Sequence, residues 1–221
     1  MPKEITDELA RLNYKCVKAG KCSDIDNETA YHPDTLFYAL WNDSILYVNG
    51  LNISHLSDIN RTYLISKEKI TAAYPNDCRL NCLRTAKALI CGKNAMPEIT
   101  ADAKEAGLEI HIVRQSYVKC STAQLNAEAF ITSDTGIARV LKTLAYDVLL
   151  VTNEGISLNG YANGFIGGCL MESNGQYAAF SGRIEAHRDY EAMKSFSANH
   201  GIKLYSLSKK PLYDYGGTLL L

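Results

Sequence analysis

Three segments of the chain carry the same order of apolar and polar stretches. In the first, Cys78 leads to the apolar run "KALICG", a polar stretch over 94–106, and a second apolar run, "AGLEIHIV". In the second, Cys120 leads to "EAFITSD", the stretch 136–144 and "LAYDVLLV". In the third, Cys169 leads to "YAAFSGR", the stretch 187–200 and "HGIKLYSL". Cysteine and strand centre are eleven residues apart each time: Cys78 to Leu89, Cys120 to Ile131, Cys169 to Phe180. The middle stretches have helical character. "TADAKEAG" is rich in helix formers, Ile137, Val140, Leu141 and Leu144 recur at helical spacing, and Tyr190, Met193 and Ser197 share a face. Gly107 and Gly201 stand where a helix ends in a left-handed residue. Each helix is followed by a short apolar run of the kind that forms a buried strand. The unit reads strand, strand, helix, strand, with a period of about 40–50 residues, and such self-similarity predicts a radial or solenoid assembly.

The connections extend the pattern. Val113 to Cys120 is seven residues and Leu207 to Asp214 is also seven, which puts Asp214 at the start of a further unit. That unit has only an opening strand in "LYDYGGTLLL". The N-terminus completes it with a helix over 3–12 and a short strand in "NYKCVK". Seven residues beyond Val17, Asp24 begins another unit with "TLFYALW", "ILYVNG", a helical stretch near 54–63 and the strand "KITAA". The expectation is an α/β fold of five units over residues 1–221 as a single domain, a five-bladed α/β propeller. Closing the ring with both termini would leave no open sheet edge. A doubly wound α/β sheet is the alternative that the same alternation predicts.

Composition narrows the class. The 221 residues are 47% hydrophobic and 21% charged, as in ordinary core-forming proteins. The net charge of −1 gives no electrostatic footprint for nucleic acid. No run approaches the ~20 apolar residues that span a membrane, and "MPKEITDELARLNYK" lacks the apolar centre of a secretory signal. A cytoplasmic protein is expected. None of the seven cysteines forms a C-x-x-C pair, against a zinc ribbon or a thioredoxin-type site. Free thiols in a reducing compartment fit best. Neither phosphate-binding glycine pattern is present, and no cofactor or metal is expected.

If the repeat closes into a ring, Asp24, Cys78, Cys120, Cys169 and Asp214 converge on its axis. Such a set can hold a cation or activate a thiol, or the cysteines can simply be small enough for a crowded axis. Lys119 neighbours Cys120, although strand neighbours point to opposite faces. Cys169 follows "GFIGG", where Gly167 and Gly168 permit close backbone approach or a cradle of N–H groups. The connection from Val151 to Cys169 is eighteen residues long and reads as a lid or as a surface hairpin. Asp134 reads as a helix cap, and His187 and Asp189 as helix-start residues. Asp214 has no capping duty. His32, His55 and His111 form no recognisable triad.

Five strand–strand–helix–strand units resemble the pentein fold of the guanidino-group-modifying enzymes: arginine deiminases, amidinotransferases and dimethylarginine hydrolases. "GFIGG" (164–168), "SGRIEAHRDYEAMKSF" (181–196) and "LYDYGG" (212–217) are similar to a small uncharacterised bacterial group near those enzymes, over residues 70–221. The resemblance implies a site at the mouth of a central channel, where a cysteine attacks a guanidinium carbon, a histidine shuttles protons and carboxylates grip the nitrogens. In those enzymes the cysteine follows a glycine cluster near the C-terminus. Here Thr218 follows Gly216 and Gly217, and no cysteine comes after Cys169. The expected partner is a small guanidino or cationic ligand in the channel. Cys120 or Cys169 would be the catalytic thiol, with Asp24, Cys78, Asp214, Gly167 and Gly168 around the substrate. A non-catalytic binding protein on the same fold, as in the ribosome anti-association factors, is the second reading. The near-neutral charge lends ribosome binding little support. The pattern leaves catalysis open and specifies no oligomeric state.

Overall fold

Four short polar loops turn the chain back on itself, and each is held by a side chain. Asn42 Oδ1 accepts from the Ser44 N–H at 3.0 Å, Asn126 Oδ1 from Glu128 and Ala129 at 2.8 Å, and Asn174 Oδ1 from Gln176 and Tyr177. In the fourth loop Thr85 Oγ1 accepts from the Ala88 N–H at 3.0 Å. Asn and Thr favour such turns because a short polar side chain replaces a backbone acceptor. The computed structural model describes residues 1–221, and each of these loops joins the first two strands of a three-stranded sheet.

After an N-terminal helix α1 (Lys3–Arg11), a single turn α2 (Pro33–Leu36) leads into β1 (Phe37–Ala39), β2 (Ile45–Tyr47) and β3 (Tyr63–Ile65). The second sheet holds β4 (Leu83–Arg84), β5 (Ala88–Gly92) and, after α3 (Pro97–Glu105), β6 (Glu109–Val113). The third holds β7 (Thr122–Gln124), β8 (Ala129–Thr132) and, after α4 (Thr135–Thr143), β9 (Asp147–Leu150). In the fourth, the turn α5 (Ile166–Cys169) precedes β10 (Leu170–Ser173) and β11 (Tyr177–Phe180), and α6 (Tyr190–Asn199) precedes β12 (Lys203–Ser206). In every sheet the first pair of strands is antiparallel and the second parallel. The protein is thus a mixed α/β protein of four small sheets with one repeated topology. No helix is long and apolar enough to cross a membrane.

Four of the expected elements take another form. The opening strand expected in "LYDYGGTLLL" is reduced to an isolated bridge at Tyr213. "NYKCVK" is not a strand: Asn13 adopts φ 69° behind α1, and the chain runs on irregularly. The stretch near 54–63 contains only a 3-10 turn, Ser54–Leu56, with Leu56 as its buried residue. "KITAA" is not a strand either, because Tyr63–Ile65 already pairs with β2 upstream of it. The buried strands are not those after the helices. β5 and β8 are buried at every position, whereas β6, β9 and β12 are exposed or half-buried at nearly all of theirs, leaving Ile112 65% and Leu150 46% exposed. A middle strand has neighbours on both sides, and the strand after the helix is the edge.

The contacts gather into two compact units: 19–119 with 219–221, and 1–18 with 120–218. In the former, the core joins Leu36, Leu46, Val48, Ile70, Leu80, Leu89, Met96 and Ile99. In the latter, Ile131, Ile166, Phe180, Ile184, Met193 and Leu212 form one core. A second cluster there seats Ile5 and Leu9 of α1 on Met171, Ala179 and Leu207.

Helix ends follow one rule. Gly107 after α3 and Gly201 after α6 both have φ 71°, and the residue at that place after α4 is Ala145, at φ 61°. An L-residue there costs roughly 1–2 kcal/mol, against the extra chain entropy that glycine loses on folding. Ala145 is exposed, so its methyl group contributes no packing. Ala145→Gly is expected to raise stability by about 0.5–1 kcal/mol in urea denaturation, with an unchanged dependence on urea concentration. Asp134 caps the same helix as expected, its Oδ1 accepting from the Ile137 N–H at 2.8 Å.

Candidate functional site

The hydrogen bonds at the hairpin bases fix which residues are equivalent. Val48 N–H donates to Leu36 O, Ser133 N–H to Ser121 O, and Ser181 N–H to Cys169 O. Cys169 therefore stands where Ser121 and Leu36 stand, and Cys120 matches Gly168 and Thr35. The equal spacing of Cys120 and Cys169 conceals a one-residue offset, since Ile131 lies two residues before Ser133 and Phe180 one before Ser181; the fourth hairpin trades a loop residue for the β-bulge between Leu170 and Glu172. Cys78 lies further upstream, five residues before β4. Asp24 is not at the start of a sheet at all. It sits half-buried in a turn nine residues before α2, where its backbone N–H meets the Cys22 sulfur. The five expected positions are thus not five copies of one position.

Within the unit of residues 1–18 and 120–218, five of the sequence-based candidates do meet. Asp214 is fully buried. Its Oδ2 accepts from Phe165 N–H at 2.8 Å, its Oδ1 from Gly216 N–H at 2.9 Å, and the Cys120 thiol donates to both at 3.4 and 3.5 Å. A side chain on Gly168 would place its Cβ 1.8 Å from Asp214 Oδ1, and one on Gly164 would come within 2.5 Å of Asp214 Cβ. "GFIGG" is glycine-rich because a carboxylate lies against its backbone. Gly168 N–H donates to Cys120 O, and Gly168 O accepts from both Tyr215 and Gly217 at 3.0 Å. Gly167 O lies beside Gly217. Cys169 is fully buried, and burial followed by the charge of Asp214 pushes its thiol well above the ordinary range.

The long segment before α5 is neither a free lid nor a free hairpin. Ser157 N–H donates to Leu212 O and Asp214 N–H to Ser157 O, both at 3.0 Å, so residues 157 and 213 pair in parallel. Thr218, which follows the glycine pair, donates its hydroxyl to Met171 O at 2.5 Å. His187 and Asp189 do stand before α6, yet they brace the connection at Thr152. His187 Nε2 lies 3.1 Å from Thr152 O, and Asp189 Oδ2 accepts from Thr152 N–H at 2.8 Å.

The other unit holds a different cluster around Cys78. The Cys78 thiol donates to Pro75 O at 3.4 Å. Burial, then the charge of Asp77 and the closeness of its carboxylate to the thiol, then the charge of Asp34, push it far up. Asp77 is 7% exposed; its Oδ2 accepts from the Tyr117 hydroxyl, and its Oδ1 is buried with no hydrogen-bond partner. The Tyr117 ring stacks on Tyr74 at 5.9 Å and 20°, and Tyr74 is 56% exposed. Asn94 donates to Pro75 O, and its own Oδ1 is buried without a partner. Asp77, Asn94, Tyr74 and Tyr117 carry no mark in the repeat pattern. The adjacency of Asp77 to Cys78 in "PNDC" is the one trace of them in the sequence.

A family model described as a family of unknown function (DUF6873) matches residues 1–219. The chain belongs to this family. No curated protein matches it. The match runs through all four sheets and both side-chain clusters, so each cluster lies inside the family's span.

The Asp214 cluster generates a test by double-mutant cycle. Gly168→Ala forces a methyl group into the carboxylate and is expected to cost about 1–3 kcal/mol or more. Asp214→Ala leaves two buried N–H groups unpaired, at about 1–3 kcal/mol each. In the Asp214→Ala background the Gly168→Ala cost falls sharply, because the clash is gone. Urea denaturation of the four proteins measures the coupling, and strict additivity would refute the contact.

Proposed function

We propose that this protein binds a small cation of the guanidinium type through the cluster at Asp77, on a pentein-like fold. In that reading the four sheets are blades of a five-bladed α/β propeller, with α1 and the 212–214 segment as the fifth. The observation that carries the ligand class is the buried Asp77 Oδ1 without a hydrogen-bond partner. Asn94 Oδ1 is a second buried acceptor in the same state. A buried acceptor left unpaired costs about 1–3 kcal/mol, which a donating ligand recovers. A guanidinium carries five donors and no acceptor, and its flat face suits an aromatic surface such as the exposed Tyr74 ring.

Binding is favoured over covalent turnover. A nucleophilic cysteine needs its thiolate, and the surroundings of Cys78 and Cys169 hold both as thiols. Cys120 is 2% exposed and donates to a carboxylate, the opposite of the electropositive setting that activates sulfur. Thiol chemistry at Cys120 or Cys169 is the second reading, supported by the convergence of the two with Asp214.

Calorimetric titration with agmatine, L-arginine and methylguanidine tests the proposal, with L-citrulline as the uncharged control. At least one guanidino compound is expected to bind saturably, citrulline is not, and Asp77→Asn is expected to weaken binding at least about tenfold, a loss of one charge-assisted hydrogen bond. Circular dichroism checks that the variant is folded. Absence of saturable binding by the native protein, or equal binding by Asp77→Asn, overturns it. Iodoacetamide labelling near the ordinary thiol pKa of ~8.5 separates the second reading. Exposed Cys16 is expected to react while Cys78, Cys120 and Cys169 stay protected until unfolding; rapid native labelling of Cys120 or Cys169 would favour thiol chemistry.

A further inference from the structure

The second sheet carries two cysteines that neither side-chain cluster uses. In its hairpin Leu83 pairs with Ile90 and Arg84 with Leu89. One rung further from the turn, the same register sets Cys82 opposite Cys91. The alternation of an antiparallel ladder says which kind of rung this is. Thr85 N–H donates to Ala88 O at the turn, so that pair is hydrogen-bonded. Arg84–Leu89 is then non-hydrogen-bonded, Leu83–Ile90 hydrogen-bonded, and Cys82–Cys91 non-hydrogen-bonded. Cys82 N–H accordingly donates back to Leu80 O rather than across the sheet. Side chains approach closest at such rungs, with Cα atoms about 4.5 Å apart. That separation lies inside the ~4.4–6.8 Å range that a disulfide spans.

We propose that Cys82 and Cys91 form a cross-strand dithiol that closes to a disulfide when it meets a small disulfide oxidant such as oxidised glutathione. One of the two thiolates attacks a sulfur of the glutathione disulfide and releases the first glutathione thiolate. The other protein thiolate then displaces the second glutathione from the mixed disulfide. Two protein thiols lose two electrons and two protons, one S–S bond forms, and the oxidant leaves as two molecules of reduced glutathione. The bridge closes a loop of only ten residues, 82–91, and ties the turn after Cys78 to the buried strand β5.

Cys78 is the rival partner, since it lies four residues before Cys82. The register favours Cys91. Cys91 is the neighbour that perturbs the Cys82 thiol most, raising it while Cys91 itself is lowered, and Cys78 acts on it less. The Cys82 thiol donates to Arg79 O at 3.8 Å and the Cys78 thiol to Pro75 O at 3.4 Å, so the preference for Cys91 rests on the strand register. Both members of the pair are buried, Cys82 at 5% and Cys91 at 1% exposed. Oxidation therefore proceeds through small local openings, and the disulfide accumulates at equilibrium rather than in a rapid burst.

Trypsin separates the three candidates cleanly: Cys78 falls in peptide 70–79, Cys82 in 80–84 and Cys91 in 88–93. The full-length protein is equilibrated in glutathione buffers from reducing to oxidising, quenched in acid, blocked with an alkylating agent, digested and read by mass spectrometry. A linked 80–84/88–93 peptide is expected to rise with the oxidised fraction and to vanish with dithiothreitol, while circular dichroism stays native. Cys82→Ser is expected to abolish it and return Cys91 as a blocked free thiol. The proposal is overturned if both cysteines are recovered as free thiols in the most oxidising buffer, or if a stable glutathione adduct replaces the bridge. It is equally overturned if Cys82 links to Cys78, or if the bridge forms only once the native spectrum is lost.

Discussion

A carboxylate with no exposed surface has to find its hydrogen-bond donors inside the protein, and Asp214 finds them in the backbone on either side of it. Phe165 and Gly216 supply N–H groups and Cys120 a thiol. Several kcal/mol of desolvation stand against burying such a group unpaired, so the surrounding chain must come close enough to donate. Close approach then dictates composition: only glycine fits at 164 and 168. The same approach brings residues 157 and 213 into pairing and lets Gly168 O take two further bonds from Tyr215 and Gly217. One buried charge thus organises the turn α5, the long segment before it and the closing stretch 212–217.

Much of this architecture was legible in the sequence. The periodicity of Ile137, Val140, Leu141 and Leu144 gives α4 to within a residue of its observed ends, and Gly107 and Gly201 mark helix ends where φ is positive. These signals are local: a helix turn or an αL residue depends on neighbours within four positions. "GFIGG" was legible as backbone awaiting a close contact, but its partner Asp214 lies 46 residues beyond Gly168, and no local pattern names it. Edge and middle strands could not be told apart for a similar reason. "EIHIV" and "ALICG" are both short apolar runs, and only the sheet order reveals that the first has one neighbour and the second two.

The repeated interval of eleven residues shows how a correct periodicity can still misalign chemistry. The units are real, since four sheets share one topology. Their hairpins nevertheless differ by a residue in the loop, as between Thr85–Ala88 and Leu125–Ala129, or in the strand, as at the bulge after Leu170. Such offsets leave the apolar runs in phase while shifting the polar residues ahead of them. Cysteine, small and apolar enough to suit several of these sites, is a poor marker of register. Asparagine in the turns is a better one, because its side chain is bonded to a defined amide two residues on.

The two buried aspartates separate structure from availability. Asp214 has both oxygens occupied by groups of its own chain, and its removal would leave donors unpaired. Asp77 has one oxygen bonded to Tyr117 and the other without a hydrogen bond of good geometry, beside a Cys78 thiol that lies close to the same carboxylate and donates to Pro75 O. Burial of that second oxygen is a standing cost to the fold, and a fold tolerates such a cost where something other than the chain supplies the missing donor. Position in the repeat points to Asp214, whereas the accounting of hydrogen bonds points to Asp77, as it does to Glu98 Oε2 and Asn94 Oδ1. The accounting is the stronger guide to a ligand, because a carboxylate already satisfied has little to gain from a cation, and one left open has most of a hydrogen bond still to make.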